Sequence, residues 1–193
     1  MSSLSRTFVA AVPPPEAVDH LDEFLSVRRD AAAYRWTLPD QWHLTLAFAT
    51  DLPERSLDDA VERLAAAALK RPAMTFGFAG GGAFPDPDRA KILYARLAGD
   101  ETDLSQLERL AAGARVALSK SGARVDGQRF RPHLTLARLG NPDNVTVWAR
   151  LLDAYEGPTW RLSEVVLIES HLGEGPGRRA RHEVCATFPL AVD

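Results

Sequence analysis

The chain reads His-Leu-Thr-Leu-Ala-Phe at residues 43–48 and His-Leu-Thr-Leu-Ala-Arg at residues 133–138. Each stretch alternates polar and apolar residues over its first four positions, which is typical of a half-buried β-strand. Two copies are too few for a solenoid, which needs at least about three repeats. The repeat therefore predicts two related lobes, each built around one such strand.

The alternation also places the polar side chains of each copy on one face. In an extended strand, residues i and i+2 point the same way. His43 and Thr45 should therefore share a face opposite Leu44, and His133 and Thr135 should do the same in the second copy. A polar pair above a leucine face is the layout expected of a strand that lines a cleft over a core.

The segments around the repeat predict a mixture of strands and helices. Apolar alternation predicts strands over residues 4–12, 34–38, 44–49, 74–84, 91–97, 134–139, 160–169 and 183–190. Helical spacing predicts helices over residues 16–28, 54–69, 101–119 and 144–155. Several strands follow one another without a helix between them, so the order favours an α+β fold with antiparallel sheets over a doubly wound parallel sheet. The last two strands are expected to pair, and no linker divides residues 1–193, which predicts one domain.

Two histidine–threonine pairs in one cleft suit phosphoester hydrolysis without a metal. Histidine titrates near neutral pH, so one ring can accept a proton while the other donates one. Threonine hydroxyls can donate hydrogen bonds to the phosphate oxygens on which negative charge grows during attack. A single His-x-Thr is more often structural, but an apolar strand has no need of a histidine twice. We therefore assign catalysis to His43, Thr45, His133 and Thr135; the residues alone leave open which histidine is the acid.

Composition and charge restrict the partners and the compartment. A net charge of −3 argues against wrapping of nucleic acid, which needs a broad basic face, but allows a grip on one or two phosphates. The single cysteine, Cys185, excludes an intramolecular disulfide and is expected to be a small buried apolar residue. The sequence shows no signal-peptide pattern, membrane-length apolar run or closely spaced set of metal ligands. We expect a cytoplasmic monomer without a metal, another cofactor or a membrane partner.

Segments outside the two His-x-Thr motifs are similar to a known family. They are Arg6–Pro13, Arg35–Trp36, Phe130–Pro132, Ala137–Arg138 and Leu167–Ser170. Together with the two His-x-Thr motifs, at 43–46 and 133–136, they resemble the 2H phosphoesterase superfamily. Within it they are most similar to the RNA 2′,3′-cyclic phosphodiesterases that were first called 2′-5′ RNA ligases. The resemblance covers essentially the whole chain.

This resemblance implies a fold and a reaction. The fold is bilobal, with an antiparallel sheet flanked by helices in each lobe and the active cleft between them. The reaction is hydrolysis of a 2′,3′-cyclic phosphate at an RNA end to a 2′-phosphate, with His43 as general acid towards the 3′ oxygen and His133 as general base for water. Run backward, the same chemistry joins a cyclic end to a 5′-hydroxyl. The chain departs from the family at His182, where a tyrosine is more typical, and in the arginine-rich loop 174–181.

Three further side chains are candidates for binding the substrate. Phe48 and Arg138 occupy equivalent positions in the two motifs, and Phe48 could stack on a nucleobase. In a regular strand both would face away from their histidine, which leaves packing or solvation equally open for them. Arg131 lies two residues before His133 and should share its face, where it could steer a phosphate or form a salt bridge instead. The arginines of the last loop are interpreted mainly as solvated: Arg178, Arg179 and Arg181.

Two other functions stay open at the level of sequence. A related 2H enzyme could act on a small cyclic nucleotide or a 2′,5′-linked oligonucleotide, which product analysis would distinguish. A non-catalytic nucleotide- or RNA-binding module could retain the same cleft. Binding alone requires no matched proton donor and acceptor, so the two intact His–Thr pairs favour an enzyme.

Overall fold

Two antiparallel sheets and the helices that flank them make up the fold. The computed structural model describes residues 4–192. The strands are β1 (Leu4–Ala11), β2 (Arg35–Trp36), β3 (Leu44–Pro53), β4 (Met74–Phe84), β5 (Ala90–Ala98), β6 (His133–Asp143), β7 (Trp160–Leu162), β8 (Glu164–His171) and β9 (Arg181–Pro189). The helices are α1 (Pro15–Ser26), α2 (Leu57–Ala68), α3 (Glu101–Lys120) and α4 (Thr146–Asp153). The predicted α+β class is confirmed.

The strands divide between the sheets in a way that separates the two motifs. One sheet has the order β3-β1-β8-β9 and the other the order β2-β6-β5-β4-β7. Each neighbouring pair of strands within them runs antiparallel. The first motif therefore belongs to an edge strand of the four-stranded sheet. The second belongs to β6 of the five-stranded sheet, where only the two-residue β2 lies outside it.

Local signals in the sequence set the ends of the helices. Two prolines precede α1, and its first residue is Pro15, whose fixed φ angle suits the first turn of a helix. Helix α3 begins after Asp100, whose carboxylate accepts a hydrogen bond from the backbone N–H of Asp103 at 2.7 Å. None of the helices within residues 4–192 is long and apolar enough to cross a membrane.

One apolar cluster extends through both lobes. It includes Leu44 of β3, Leu93 of β5, Leu134 of β6 and Leu107 of α3, each of which is fully buried. Helix α3 connects the lobes because it contacts both β3 and β4. Burying a leucine side chain stabilises the fold by roughly 1.5–3 kcal/mol, so the leucine face of each motif anchors its strand. The histidines at the strand starts are held by this packing beneath them.

Two expectations from the sequence are wrong. Residues 160–169 do not form one strand: β7 pairs with β4 in one sheet, while β8 pairs with β1 and β9 in the other. The break falls at Ser163, where two exposed residues in succession end the alternation of burial. The carbonyl of Ser163 accepts a hydrogen bond from the N–H of Leu190 instead. Cys185 is exposed and not buried, because it lies on β9 at the edge of its sheet.

Candidate active site

The structure brings the two motifs together across a cleft between the sheets. His43 directly precedes β3, and His133 is the first residue of β6. Both histidines and both motif threonines, Thr45 and Thr135, line this cleft, which has a volume of about 580 Å³. One wall comes from β1, β3, β8 and β9, and the other from β2 and β6. The four side chains assigned to catalysis from the sequence therefore meet in one place.

Each motif strand contains a β-bulge at the same point of the repeat. In the β1·β3 pair, Val9 lies opposite Ala47 but the next residue, Ala10, lies opposite Thr45, so Leu46 is an extra residue. The β5·β6 pair shows the same shift, which makes Leu136 the extra residue there. Both residues of each Leu-Ala step are buried. A bulge shifts the alternation of faces by one residue and is common beside active sites.

The bulges place the sixth residue of each motif in the cleft. Without a bulge, Phe48 and Arg138 would face away from the histidines, since five residues separate them. With the bulge, Phe48 follows Thr45 and Arg138 follows Thr135 on the cleft face, and all four line the cleft. The orientation expected from regular alternation is therefore wrong for Phe48 and Arg138, which both face the site, and their contact with a substrate stays a prediction.

The same backbone contact orients both histidine rings. The Nδ1 atom of His43 lies 2.7 Å from the carbonyl oxygen of Gln41, and Nδ1 of His133 lies 2.7 Å from that of Arg131. A carbonyl oxygen only accepts hydrogen bonds, so Nδ1 carries the proton in each ring. The Nε2 atom is therefore a free acceptor when the ring is neutral and a donor when it is protonated. Each motif presents one Nε2 atom that can take or give a proton.

Aromatic side chains hold both rings and lower their pKa. Phe8 of β1 stacks on His43 with ring centroids 4.7 Å apart, while Phe84 and Tyr94 pack against His133 at 4.9 and 5.5 Å. Burial lowers the pKa of His43 to about 4, although its hydrogen bond to the Gln41 carbonyl opposes the shift. Burial lowers the pKa of His133 as well, against the Arg131 carbonyl. Burial therefore favours the neutral form of both rings.

A third histidine stands beside the first motif. His182 lies on β9 opposite Ser170 of β8. Its ring packs edge-on against Phe8 at 5.2 Å and against His43 at 5.4 Å. Burial lowers the pKa of His182, and the Asp40 carboxylate opposes this shift. The position at which the chain departs from the family is thus part of the active cleft, which the sequence did not indicate.

The cleft is lined by cations and lacks carboxylates among its described residues. The arginines that line it are Arg6, Arg35, Arg138, Arg178 and Arg179. Arg35 and Arg138 lie directly opposite each other on β2 and β6. Partial burial and the neighbouring Arg35 charge both lower the pKa of Arg138. A low-dielectric cleft with unmatched positive charge favours an anionic ligand.

The remaining predicted binding residue, Arg131, lies to one side. Its guanidinium is 5.8 Å from the ring centroid of Phe84, and it lines an adjoining pocket of about 570 Å³. Thr45, Phe48 and His133 line both this pocket and the main cleft. Arg131 therefore contributes its carbonyl to the orientation of His133 and its side chain to a neighbouring space. Its contact with a phosphate stays a prediction.

Within residues 4–192, no three histidine, cysteine, aspartate or glutamate side chains are grouped so as to hold a metal ion. His171 is near two carboxylates, with its Nε2 3.8 Å from Glu169 and 3.5 Å from Glu183. These residues belong to β8 and β9 outside the lining of the cleft. The cleft itself offers imidazole, hydroxyl and guanidinium groups.

A pair of pseudo-symmetric His–Thr strands across a cationic cleft defines a 2H phosphoesterase site, and comparison with known proteins agrees. The family model described as the 2′-5′ RNA ligase superfamily matches residues 13–174, so the chain belongs to this superfamily.

Three individual proteins show how similar the chain is to members of known sequence or structure. Over 172 residues the chain is 31% identical to the RNA 2′,3′-cyclic phosphodiesterase of Thermus thermophilus, covering 86% of this chain and 82% of that protein. It is 28% identical to the protein of the same name from Geobacillus stearothermophilus over 96% of its length, but spans only 57% of that relative. The crystal structure of E. coli LigT in its apo form has the same fold, with a TM-score of 0.77 at 21% identity, covering 98% of this chain and 99% of that one.

Proposed function

We propose that this chain hydrolyses the 2′,3′-cyclic phosphate at an RNA end to a 2′-phosphate, without a metal ion. The observation that carries the proposal is the pair of equivalent rings: His43 and His133 both have Nδ1 fixed by a carbonyl and Nε2 left for the shared cleft. The names of the Thermus and Geobacillus relatives support the same substrate.

The reaction needs one proton acceptor and one proton donor on opposite sides of the phosphorus. His133 accepts a proton from water, whose oxygen forms the new bond to phosphorus. The bond to the 3′ oxygen breaks, and Nε2 of His43 gives that oxygen a proton, the role that the family resemblance implies. The hydroxyls of Thr45 and Thr135 donate hydrogen bonds to the non-bridging oxygens, where charge increases during attack. The Arg138 guanidinium offsets the negative charge of the phosphate.

The protonation states of His43 and His133 in the free enzyme matter for this assignment. Burial lowers the pKa of His43 to about 4, and His133 also has a lowered pKa. The acid is therefore mostly unprotonated before substrate arrives. An anionic cyclic phosphate within reach raises the pKa of both rings, because it favours their charged forms. Binding of the substrate thus loads the acid, and the working protonation state is a minor one in the free enzyme.

The same site chemistry can also join two RNA ends. A 5′-hydroxyl of a second RNA takes the place of water and forms the new bond to phosphorus, His133 removes its proton, and His43 protonates the 3′ oxygen as its bond to phosphorus breaks, which gives a 2′-5′ linkage. We propose that the two lobes act as one domain, since the site needs a histidine from each. A monomer in the cytoplasm is sufficient for this activity.

The test is turnover of an RNA oligonucleotide that ends in a 2′,3′-cyclic phosphate, in the presence of EDTA. We expect addition of one water and a product that co-migrates with a 2′-phosphate standard and not with the 3′-phosphate. His43→Asn and His133→Asn should each lose this turnover, and Arg109→Gln on the exposed face of α3, away from the cleft, is the matched control. Binding of RNA by folded protein without any conversion would instead support a binding module. Conversion only of cyclic mononucleotides or 2′,5′-oligonucleotides would move the assignment to small substrates.

A further inference from the structure

The loop between β8 and β9 is held against the opposite wall of the active cleft. It starts from the four-stranded sheet, yet its backbone is bound by residues at or just after β2 of the other sheet. The Arg35 guanidinium donates to the carbonyl of Arg178 at 3.3 Å, and the Gln41 side-chain amide donates to the carbonyl of Ala180 at 2.8 Å. Within the loop, the N–H of Gly175 donates to the carbonyl of Arg179 at 2.9 Å.

The conformation of this loop turns two arginines towards the cleft. Arg178 has a φ of +58°, in the left-handed region that a residue with a Cβ seldom adopts, directly after Gly177 at +62°. Arg178 and Arg179 both line the cleft that contains the catalytic histidines. Unfavourable backbone conformations of this kind persist where the surroundings fix them, often at binding sites.

The charges of the loop arginines are distributed unequally. Arg181 is matched by carboxylates, with Glu174 at 3.0 Å and Glu183 at 2.8 Å. Arg178 and Arg179 have no carboxylate within ion-pair distance in the described part of the chain, and neither does Arg35. All three of these unmatched arginines line the cleft; Arg35 is hydrogen-bonded to the Arg178 carbonyl, and Arg138 lies directly opposite Arg35 on the neighbouring strand.

We propose that Arg35, Arg178 and Arg179 form a second phosphate site, which binds the phosphate on the 5′ oxygen of the nucleotide that carries the cyclic phosphate. This inference rests on the proposed function and adds to it a substrate class. Arg138 binds the reacting phosphate, and the second site binds the next phosphate along the RNA. In an RNA that phosphate is the last phosphodiester, and in a small nucleotide it is a terminal 5′-phosphate. We assign the phosphodiester, so the enzyme prefers an oligonucleotide end to a nucleoside cyclic phosphate.

Three substrates that differ only at the 5′ oxygen test this site. They are adenosine 2′,3′-cyclic phosphate, its 5′-phosphorylated form, and the dinucleotide ApA with a 2′,3′-cyclic phosphate. Since hydrogen bonds to charged groups contribute about 1.5–3 kcal/mol, we expect kcat/KM to be about tenfold or more higher for the dinucleotide than for the nucleoside. The advantage should decrease as salt is added, because salt weakens contacts between arginine and phosphate. A clear preference for the terminal 5′-phosphate over the dinucleotide would contradict the assignment to RNA.

The double variant Arg178→Gln/Arg179→Gln should reduce the advantage of the dinucleotide in kcat/KM to about twofold or less, because the guanidinium contacts are lost. Its kcat/KM on the nucleoside cyclic phosphate should decrease much less than its kcat/KM on the dinucleotide, so the ratio between the two substrates is the readout. The matched control is Arg55→Gln/Arg109→Gln, which removes two exposed charges elsewhere and should keep the full advantage. Equal kcat/KM for all three substrates in the wild type, or an undiminished advantage in the loop variant, would overturn the proposal.

A binding measurement separates this inference from the proposed reaction. By calorimetry, adenosine 2′,5′-bisphosphate should bind the wild type about tenfold or more tightly than adenosine 2′-monophosphate, and the loop variant should bind the two alike. If no cyclic phosphate is cleaved but this ratio is found, the reaction is wrong and the phosphate site stands. Equal affinities in the wild type refute the phosphate site, whatever the activity.

Discussion

The proposed mechanism makes the pH dependence of turnover follow from the burial of the His43 and His133 rings. The pKa of His43 is lowered from 6.5 to about 4, first by burial and then by the nearby positive charges of His182, Arg138 and His133. At pH 7, well above this value, His43 is therefore almost entirely neutral in the free enzyme. The pKa of His133 is lowered too. The reaction needs one of the two histidine rings protonated and the other neutral. This state is therefore most populated between the two pKa values, below pH 6.5.

We expect kcat/KM to follow a bell with its maximum below pH 6.5, because this parameter reports the free enzyme. On the alkaline side it should decrease about tenfold per pH unit as the last proton leaves the pair. The maximum of kcat should lie at higher pH, since the bound cyclic phosphate raises the pKa of both rings. The assay is cleavage of a cyclic-phosphate RNA from pH 4 to 9 at constant ionic strength, with the ring nitrogens followed by NMR in parallel.

Two results would refute this reasoning. One is an NMR titration of His43 near the ordinary histidine value, which would mean that the aromatic packing does not desolvate the ring. The other is a maximum of kcat/KM at or above pH 7.5 under conditions where chemistry limits the rate. A slower substrate with the same pH profile is the control that chemistry is limiting.

Substitutions at three positions probe the other parts of the cleft. Thr135→Val should lower kcat by about 100-fold or more because a donor to the charged oxygens is lost, whereas Thr135→Ser should retain most activity. Phe48→Leu should raise KM about fivefold to a hundredfold, with kcat little changed, if the ring stacks on a base; an unchanged KM would assign it to packing alone. His182→Phe keeps a ring against His43 but removes its charge, so the pKa of His43 measured by NMR should rise; a fall would show that the two rings are not coupled through charge.

The repeat in the sequence predicted most of what positions the site. Alternation over His43, Leu44 and Thr45 was enough to put the polar pair on one face and the leucine in the core, and the structure shows this burial. The strand 74–84 was predicted at its observed bounds, because a long apolar run defines it and the prolines that follow mark its C-terminal end. Two identical motifs also required two similar strands, which the two sheets provide.

Features that depend on pairing between distant segments could not be predicted from the sequence. The bulges at Leu46 and Leu136 arise from the register with β1 and β5, so strict alternation pointed Phe48 and Arg138 away from the cleft. The consecutive apolar pair Leu-Ala in both motifs was the only local sign of them. The contact of His182 with His43 results from strand order, which places β9 in the same sheet as β3.

The central claim is that one histidine acts as acid and the other as base, and a change of leaving group tests it most directly. The substrate is a 2′,3′-cyclic phosphate with sulfur in place of the 3′ oxygen, because a thiolate leaves without being protonated. On the normal substrate, His43→Asn and His133→Asn should each lower kcat by about 10²–10⁴-fold. On the sulfur substrate, His43→Asn should recover to near the wild-type rate while His133→Asn stays impaired. Recovery of His133→Asn instead, equal recovery of both variants, or full activity of either folded variant on the normal substrate would contradict the account.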